Sequence, residues 1–457
     1  MGVFGALTTA VTGMRAQSYA LENISGNIAN SQTTAFKRVD TAFVDLIPDN
    51  IPSKQLSGYV IANSRSTNSV QGDIQNASVS TYMAINGQGF FVVEKPSSFA
   101  DNQPVFDGID LYTRRGDFQL DKNGYLVNGA GYYLMGIPVD STTGNLVGSV
   151  PELLQFANGF LPAKATTQIQ YQANLASYPL TPGHDTAIPG SELLDPADYT
   201  VDPTVAGTGT VVANDLTTFI SDSISGGAIT AYDISGAPVN AQLRWTKLDS
   251  SLYGGTDTWN MFYQVDANAT GAGVAWQNVG VDYTFAPNGQ MSPSIAFVSL
   301  TGVTIGGVSL GNITLQHGTN GITQFSDANG NVQVNALQQD GFPAGVLQSV
   351  SVDDRGRVVG TFSNSRTIDL AEITLANFNG TNGLKRLDGG AFAATDESGP
   401  PTYNASGQIV GSSLEGSNTD IADEFAKLIV TQQAYSANTR VISTSNQMVQ
   451  DMLNMLR

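Results

Sequence analysis

The last forty residues of this chain constrain its fold more than any other segment. From Asn418 to Arg457 the sequence contains no glycine and no proline, the residues least compatible with a helix interior. Apolar side chains recur there every seven residues, at Ile421, Leu428, Tyr435, Ile442, Val449 and Leu456. A second row, offset by four, reads Phe425, Gln432, Thr439, Asn446 and Leu453. Residues four apart share one helix face, so the two rows predict one seam on a long helix that coils against a partner.

The opposite end of the chain supplies the candidate partner helix. Val3 to Ala29 contains no proline, and apolar residues again recur every seven positions, at Leu7, Met14, Leu21 and Ile28, with Ile24 beside them. One alternative is that the two terminal helices pair within a single molecule. Because both seams are long and alike, we expect instead that they coil against helices of other copies.

Charge is distributed unevenly along the chain. The 457 residues carry a net charge of −19, with no cysteine and two histidines, His184 and His317. The ends, up to Arg38 and from Asn418 onward, together carry +1, so the middle carries about −20. This balance argues against a nucleic-acid partner, because phosphate binding needs clustered lysine and arginine. The cysteine and histidine counts exclude disulfides, thiolate metal sites and most histidine-based catalysis.

The sequence gives no sign of membrane insertion or of a cleaved leader. No apolar run approaches the length of about twenty residues that a membrane-spanning helix needs. The opening residues Met-Gly-Val-Phe-Gly lack the basic region and the cleavage site of a secretory signal. If the protein leaves the cytosol, we expect it to use another route.

The middle of the chain changes from helical to strand-like patterning. Residues 33–68 read as an extended connecting segment. Beyond them, alternating apolar residues and turns such as Asn123-Gly124 indicate β hairpins. We predict an α+β, nested multidomain chain with a helical coiled-coil domain (1–32 and 416–457), a discontinuous all-β domain (69–155 and 337–415) and an inserted all-β outer domain (156–336).

Few motifs suggest chemistry. Asp121-Lys-Asn-Gly and Asp327-Ala-Asn-Gly resemble fragments of a calcium loop, but both lack the alternating ligands and the closing glutamate. Asp353 and Asp354 are adjacent, so their side chains point apart rather than forming a catalytic pair. We interpret these segments as turns and predict no catalytic residue, no cofactor and no metal site.

Five blocks of sequence together resemble the bacterial flagellar rod, hook and hook-associated axial protein family. They are Asn27-Ile-Ala-Asn30 followed by Thr33-Thr-Ala-Phe36-Lys37; Gln71-Gly-Asp-Ile with Ala84-Ile-Asn-Gly-Gln-Gly-Phe-Phe-Val-Val; Tyr112-Thr-Arg-Arg-Gly-Asp-Phe118 through Gly124-Tyr-Leu-Val; Gln339-Asp-Gly-Phe-Pro-Ala-Gly-Val-Leu through Phe362-Ser-Asn364; and Leu414-Glu-Gly-Ser-Asn-Thr-Asp-Ile with Gln432-Gln-Ala-Tyr435-Ser-Ala-Asn438. Ala35 stands where the family usually has glycine, and Ser365-Arg366 replaces the Gly-Gln often found there.

Within that family the chain is most similar to the flagellar hook proteins, because a rod protein would lack most of residues 160–335. The resemblance implies a structural subunit, not an enzyme, that assembles into a curved, bendable tube and transmits torque from rod to filament. It also implies a location outside the cell, in the hook of the basal body, after export of the unfolded chain without a cleaved signal peptide. The implied partners are other copies, the rod, hook-cap and hook–filament junction proteins, and the flagellar export apparatus. A distal rod or hook–filament junction protein is the alternative within the family.

The polymerisation interface is expected to include Leu7, Met14, Leu21, Ile24, Asn27, Ile28, Asn30, Phe36, Ile421, Phe425, Leu428, Tyr435, Ile442, Val449 and Leu456. Two alternatives lie outside the family. A secreted β-rich adhesin would bind glycans through Trp245, Trp259 and Trp276 of the insert, although these residues also suit a β-domain core. A polysaccharide hydrolase would need a carboxylate pair in a cleft, and no spacing favours one.

Overall fold

The computed structural model describes residues 3–46, 59–140, 143–156, 159–206, 208–403 and 407–455. The chain is mostly β and divides into two compact units. The first unit combines Met1–Gly159 with Leu347–Arg457, and the second is the intervening stretch Phe160–Val346. The chain returns to the first unit after Val346, later than the boundary predicted after residue 336. The reason is that residues 333–339 form a strand that pairs within the second unit.

The described residues contain α1 (Val3–Ala29), α2 (Leu216–Ser221) and α3 (Ile421–Met455). α3 starts at a capping residue, since the Asp420 carboxylate accepts hydrogen bonds from the amides of Ala422 at 2.8 Å and Asp423 at 3.3 Å. Asp423 and Glu424 in the first turn also interact favourably with the helix dipole. With no glycine or proline in its path, the helix then continues to Met455.

The first unit begins with short strands and one longer antiparallel pair. Its strands before the insert are β1 (Val39–Leu46), β2 (Tyr59–Ser66), β3 (Ile74–Asn76), β4 (Met83–Asn86), β5 (Phe90–Glu94), β6 (Ser98–Ala100), β7 (Gln103–Val105), β8 (Leu111–Thr113), β9 (Phe118–Leu120), β10 (Leu126–Asn128), β11 (Tyr133–Pro138) and β12 (Glu152–Leu153). β1 and β2 pair along their whole length, from Val39 opposite Ser66 to Leu46 opposite Tyr59. We refer to this pair as the arm.

The second unit contains two five-stranded sheets around one core. Its strands are β13 (Phe160–Leu161), β14 (Gln168–Ala176), β15 (Thr210–Val212), β16 (Ile224–Tyr232), β17 (Pro238–Asp249), β18 (Thr258–Gln264), β19 (Val274–Thr284), β20 (Phe297–Ile305), β21 (Val308–Gln316), β22 (Ile322–Phe325) and β23 (Gln333–Gln339). One sheet has the order β15-β19-β18-β17-β16, and the other has β20-β21-β14-β22 with β23 also on β14. Tyr171, Trp245, Trp259 and Tyr283 are fully buried in the core that these sheets share.

The returning chain completes the first unit. Its strands are β24 (Gly345–Val352), β25 (Arg357–Phe362), β26 (Thr367–Ile373), β27 (Leu375–Asn377), β28 (Lys385–Arg386), β29 (Ala391–Ala393), β30 (Thr402–Tyr403), β31 (Gln408–Gly411) and β32 (Ser413–Glu415). β26 pairs with β11, and β29 pairs with β8, so strands from both halves share one sheet. β31 pairs with β4, and β32 pairs with β3, which brings the start of α3 beside the N-terminal segments.

Candidate assembly surface

The two terminal helices lie against each other in antiparallel orientation. The Asn27 side-chain amide donates to the Glu424 carboxylate at 3.0 Å. Farther along, a Cβ added at Gly13 would lie 3.1 Å from the Asn438 amide nitrogen. Fourteen residues separate these two contacts on each helix, so the register advances by two seven-residue repeats on both.

The contact between α1 and α3 consists mainly of small and polar side chains. The buried residues of α1 are Ala10, Ala16, Ala20, Ile24 and Asn27. The buried residues of α3 are Glu424, Thr431 and Ser445, which are spaced by seven and by fourteen. The predicted seam, which includes the row from Phe425 to Leu453, was expected to contact other copies, and these two side chains are exposed in the single chain. Alanine and glycine on α1 allow close approach of α3, and short polar side chains fit that spacing better than phenylalanine or leucine does.

The predicted interface residues are spread over several environments in the single chain. Ile24 and Asn27 are buried. The half-buried residues are Leu7, Met14, Leu21, Ile28, Asn30, Phe36, Leu428, Ile442 and Val449. Ile421, Phe425 and Tyr435 are exposed, and Leu456 lies outside the described residues.

α3 carries ten large apolar side chains that remain exposed among the described residues. Besides the predicted residues, the exposed apolar side chains of this helix are Ile429, Val430, Val441, Met448, Met452, Leu453 and Met455. Val430 is 66% exposed and Met455 is 82% exposed, while Phe4 of α1 is 68% exposed. Large apolar side chains exposed in this number on one helix usually mark a binding surface. We call these side chains together the apolar face of α3.

The arm joins both helices through polar contacts. Asn23 of α1 donates to the Thr41 hydroxyl at 2.8 Å, and Asn27 exchanges two hydrogen bonds with the Val39 backbone at 2.9 and 3.0 Å. On α3, Lys427 lies 2.9 Å from the Asp423 carboxylate and 3.7 Å from that of Asp40. The connecting segment predicted at 33–68 is therefore partly an ordered strand pair, while 47–58 lie outside the described residues.

A buried ionic cluster fixes the segment between the arm and the rest of the first unit. The Lys37 ammonium lies 2.5 Å from one oxygen of Glu415, and Arg114 lies 3.3 Å from the other. Lys37 and Glu415 side chains have no exposed surface. Burial lowers the pKa of Lys37, and the carboxylate of Glu415 opposes that shift. The Gly72 amide also donates to Glu415 at 2.9 Å, so three donors converge on one carboxylate.

Lys37, Arg114 and Glu415 were not among the predicted interface residues, although each lies in a block that carries the family resemblance. Two further positions, one in the first block and one directly after the fourth, have left-handed backbone conformations. Ala35 has φ of 54° and Ser365 has φ of 61°. These are the positions where the family usually has glycine, the residue that adopts such angles without strain. The resemblance therefore contained a conformational signal that patterning alone did not reveal.

The structure gives no indication of a metal or catalytic site in the residues it describes. No three carboxylate or imidazole groups there lie close enough together to bind a metal ion. The Asp121 carboxylate accepts from the amides of Asn123 and Tyr125, and the Asp353 carboxylate accepts from those of Arg355 and Arg357. Both aspartates thus stabilise turns, as predicted. Among the described helices, none combines the length and apolar character needed to cross a bilayer.

Family models match three parts of the chain. The model described as "Flagellar hook protein FlgE/F/G D1 domain" matches residues 84–178. "Flagellar basal body protein FlaE D2 domain" matches residues 213–342, in the second unit. "Flagellar basal body rod FlgEFG protein C-terminal" matches residues 410–455, which include α3.

Curated relatives match along the whole chain. The flagellar hook protein FlgE of Brucella suis is 29% identical over 462 residues, covering 100% of both chains. That of Escherichia coli K12 is 28% identical and covers 98% of this chain and 100% of its own. The crystal structure of Helicobacter pylori flagellar hook protein FlgE2 covers 75% of this chain and 100% of its own, with 15% identity and a TM-score of 0.46. The domain models and the full-length relatives lead to one conclusion: this chain belongs to the flagellar hook protein family.

Proposed function

We propose that this protein is the structural subunit of a bacterial flagellar hook and that it assembles with many copies of itself into a tube. The observation that carries this proposal is the apolar face of α3, which remains exposed although α1 already packs on the helix. Burying one such side chain contributes about 1.5–3 kcal/mol. Several of them together would outweigh the entropy lost when copies join.

The pairing of α1 with α3 favours an open tube over a closed dimer. α1 is paired with α3 through small and polar residues, so the apolar face of α3 is available for a different surface on the next copy. Contacts between two unlike surfaces are head-to-tail, and they extend into a helical filament when the rotation between copies does not close into a ring. We infer that the terminal helices coil together along the tube and that the acidic β regions face outward.

The remaining parts of the proposal, on the tube's properties, location and partners, rest on the family resemblance. We propose that the tube is curved and bendable, lies outside the cell and transmits torque from rod to filament. The rod, hook-cap and junction proteins would bind its ends, and the flagellar export apparatus would secrete the unfolded chain. An adhesin is disfavoured, because Trp245 and Trp259 are fully buried and Trp276 is 3% exposed, so none of them offers a ring for a glycan.

Charge placed on the apolar face of α3 tests the proposal. Val430→Asp should abolish tube formation by the purified full chain, as measured by sedimentation and negative-stain electron microscopy, because it puts a carboxylate into the contact between copies. Ile234→Asp is the matched control, since Ile234 is 88% exposed in the second unit. Normal tubes from the Val430 variant would remove the main support for the assembly surface.

A further inference from the structure

A cavity of about 320 Å³ lies within the first unit, next to the segment that follows α1. The residues that line it include the apolar Phe36, Leu387 and Phe392 and the cationic Lys37, Arg115 and Arg386, although the Lys37 ammonium is turned away toward Glu415. No carboxylate lines it in the described residues. A cavity lined by cationic residues and no acidic residue is unexpected in a chain with a net charge of −19.

Two of the three cations already have carboxylate partners. Lys37 contacts Glu415 at 2.5 Å. Arg115 makes a two-pronged pair with Asp117, with Nε to Oδ1 at 2.7 Å and Nη2 to Oδ2 at 2.9 Å. Arg386 differs, since no carboxylate lies within 4.0 Å of it in the part of the chain that the structure describes.

The Arg386 guanidinium is fixed by its neighbours and keeps N–H donors for a further partner. It lies opposite Phe392 in the β28–β29 pair, and its guanidinium sits 5.2 Å from the centre of the Phe36 ring. Its Nη2 donates to the Lys37 carbonyl oxygen. The side chain is half-buried, and burial lowers its pKa. A partly desolvated guanidinium without a counter-ion is unfavourable, and a planar two-oxygen anion matches its remaining donors.

We propose that this cavity receives a carboxylate side chain from a second copy of the chain during assembly. The inference rests on the proposed function, and three features favour this occupant. Many acidic side chains are available on each copy, because 39 Asp and Glu face only 20 Lys and Arg. The apolar lining favours a carboxylate carried on a hydrocarbon stem over a free hydrated anion. The cavity also adjoins the assembly surface, since Phe36 accepts a hydrogen bond from the Asn418 amide at 3.1 Å, just before α3.

The test compares the critical concentration for tube formation, measured by pelleting, in full-length variants. Arg386→Gln should raise it about tenfold, and Arg386→Lys less, because lysine keeps the charge but loses the two-pronged geometry. Arg355→Gln is the control, since that side chain is 82% exposed and pairs with Asp353 within its own turn. It should leave the critical concentration unchanged.

Thermal unfolding of the monomers separates this role from a merely structural one. The occupant is absent from the monomer, so Arg386→Gln costs the monomer only its contacts with the Lys37 carbonyl and the Phe36 ring, and the variant should stay folded at the temperature at which the critical concentration is measured. A lower melting temperature with an unchanged critical concentration would overturn the inference. So would Arg386-dependent binding of sodium acetate to the monomer together with normal assembly of the variant, which would indicate a site for a free anion. Failure of the unaltered protein to form tubes would instead contradict the proposed function, on which this site depends.

Discussion

Lys37 and Glu415 are 378 positions apart in the chain, yet their side chains meet at 2.5 Å with no exposed surface on either. The first follows α1 and the second precedes α3, so this contact joins the two ends of the chain at the base of the terminal helices. Arg114 approaches the same carboxylate from the β core at 3.3 Å. A charge cluster outside the helices therefore ties the bases of α1 and α3 to the β core.

Removing the carboxylate from this cluster should destabilise the first unit strongly. Glu415→Gln leaves Lys37 and Arg114 buried without a counter-ion, and breaking a buried pair in this way costs about 3–5 kcal/mol. Urea unfolding of the full chain, followed by circular dichroism, measures the change. Asp369→Asn is the control, because its 2.7 Å pair with Arg357 is about one-third exposed and contributes no more than about 1 kcal/mol. Equal losses in the two variants would contradict the role given to Glu415.

The two left-handed residues predict stabilising substitutions. Ser365→Gly should raise the free energy of unfolding by about 1 kcal/mol, because glycine adopts a φ of 61° without the strain that a side chain adds, and Ser365 is exposed. Ala35→Gly should have a smaller effect. Its φ is 54°, but its methyl group is buried, and losing it removes about 0.8 kcal/mol. Chemical denaturation checks both, and a loss of stability in Ser365→Gly would show that its backbone is not strained.

The sequence predicted the helices and strands whose apolar residues or turns recur regularly, but it did not predict the contacts between them. The long helix from Asn418 onward follows from its composition, and the β character of the middle follows from its turns. The sequence predicted a seam toward other copies and did not predict which face α3 turns to α1 within one chain. A heptad pattern identifies the helix face that is richest in apolar residues. The small residues of α1, such as Gly13 and Ala20, instead bring the helices close enough that short polar side chains of α3 fit between them. The Lys37–Glu415 contact could not be predicted, because charged residues in extended segments show no repeating pattern that would indicate their partners.

The second unit should lose stability as the pH falls below about 4. Burial opposes ionisation of Asp340, but the amides of Gln168 and Thr167, the Thr167 hydroxyl and Lys164 outweigh it and lower its pKa to about 2. A lowered carboxyl pKa contributes stability above the ordinary value of 3.8 that is lost as the pH falls through 2. Asp340→Asn should thus be less stable than the unaltered chain at pH 6 and nearly equal to it at pH 2. Thermal melts at both values measure this, and a constant difference would contradict it.

The spacing of α1 and α3 predicts opposite outcomes for two glycines of the same helix. A Cβ at Gly26 would meet nothing within 4 Å, so Gly26→Ala should stabilise α1 by about 1 kcal/mol through helix propensity alone. At Gly13 the added Cβ would lie 3.1 to 3.3 Å from the Asn438 amide, which must move to admit it. Gly13→Ala should therefore gain little helix stability and weaken the contact between the helices. Thermal melts followed at 222 nm rank the two variants, and equal stabilisation by both would show that α3 does not approach α1 this closely in solution.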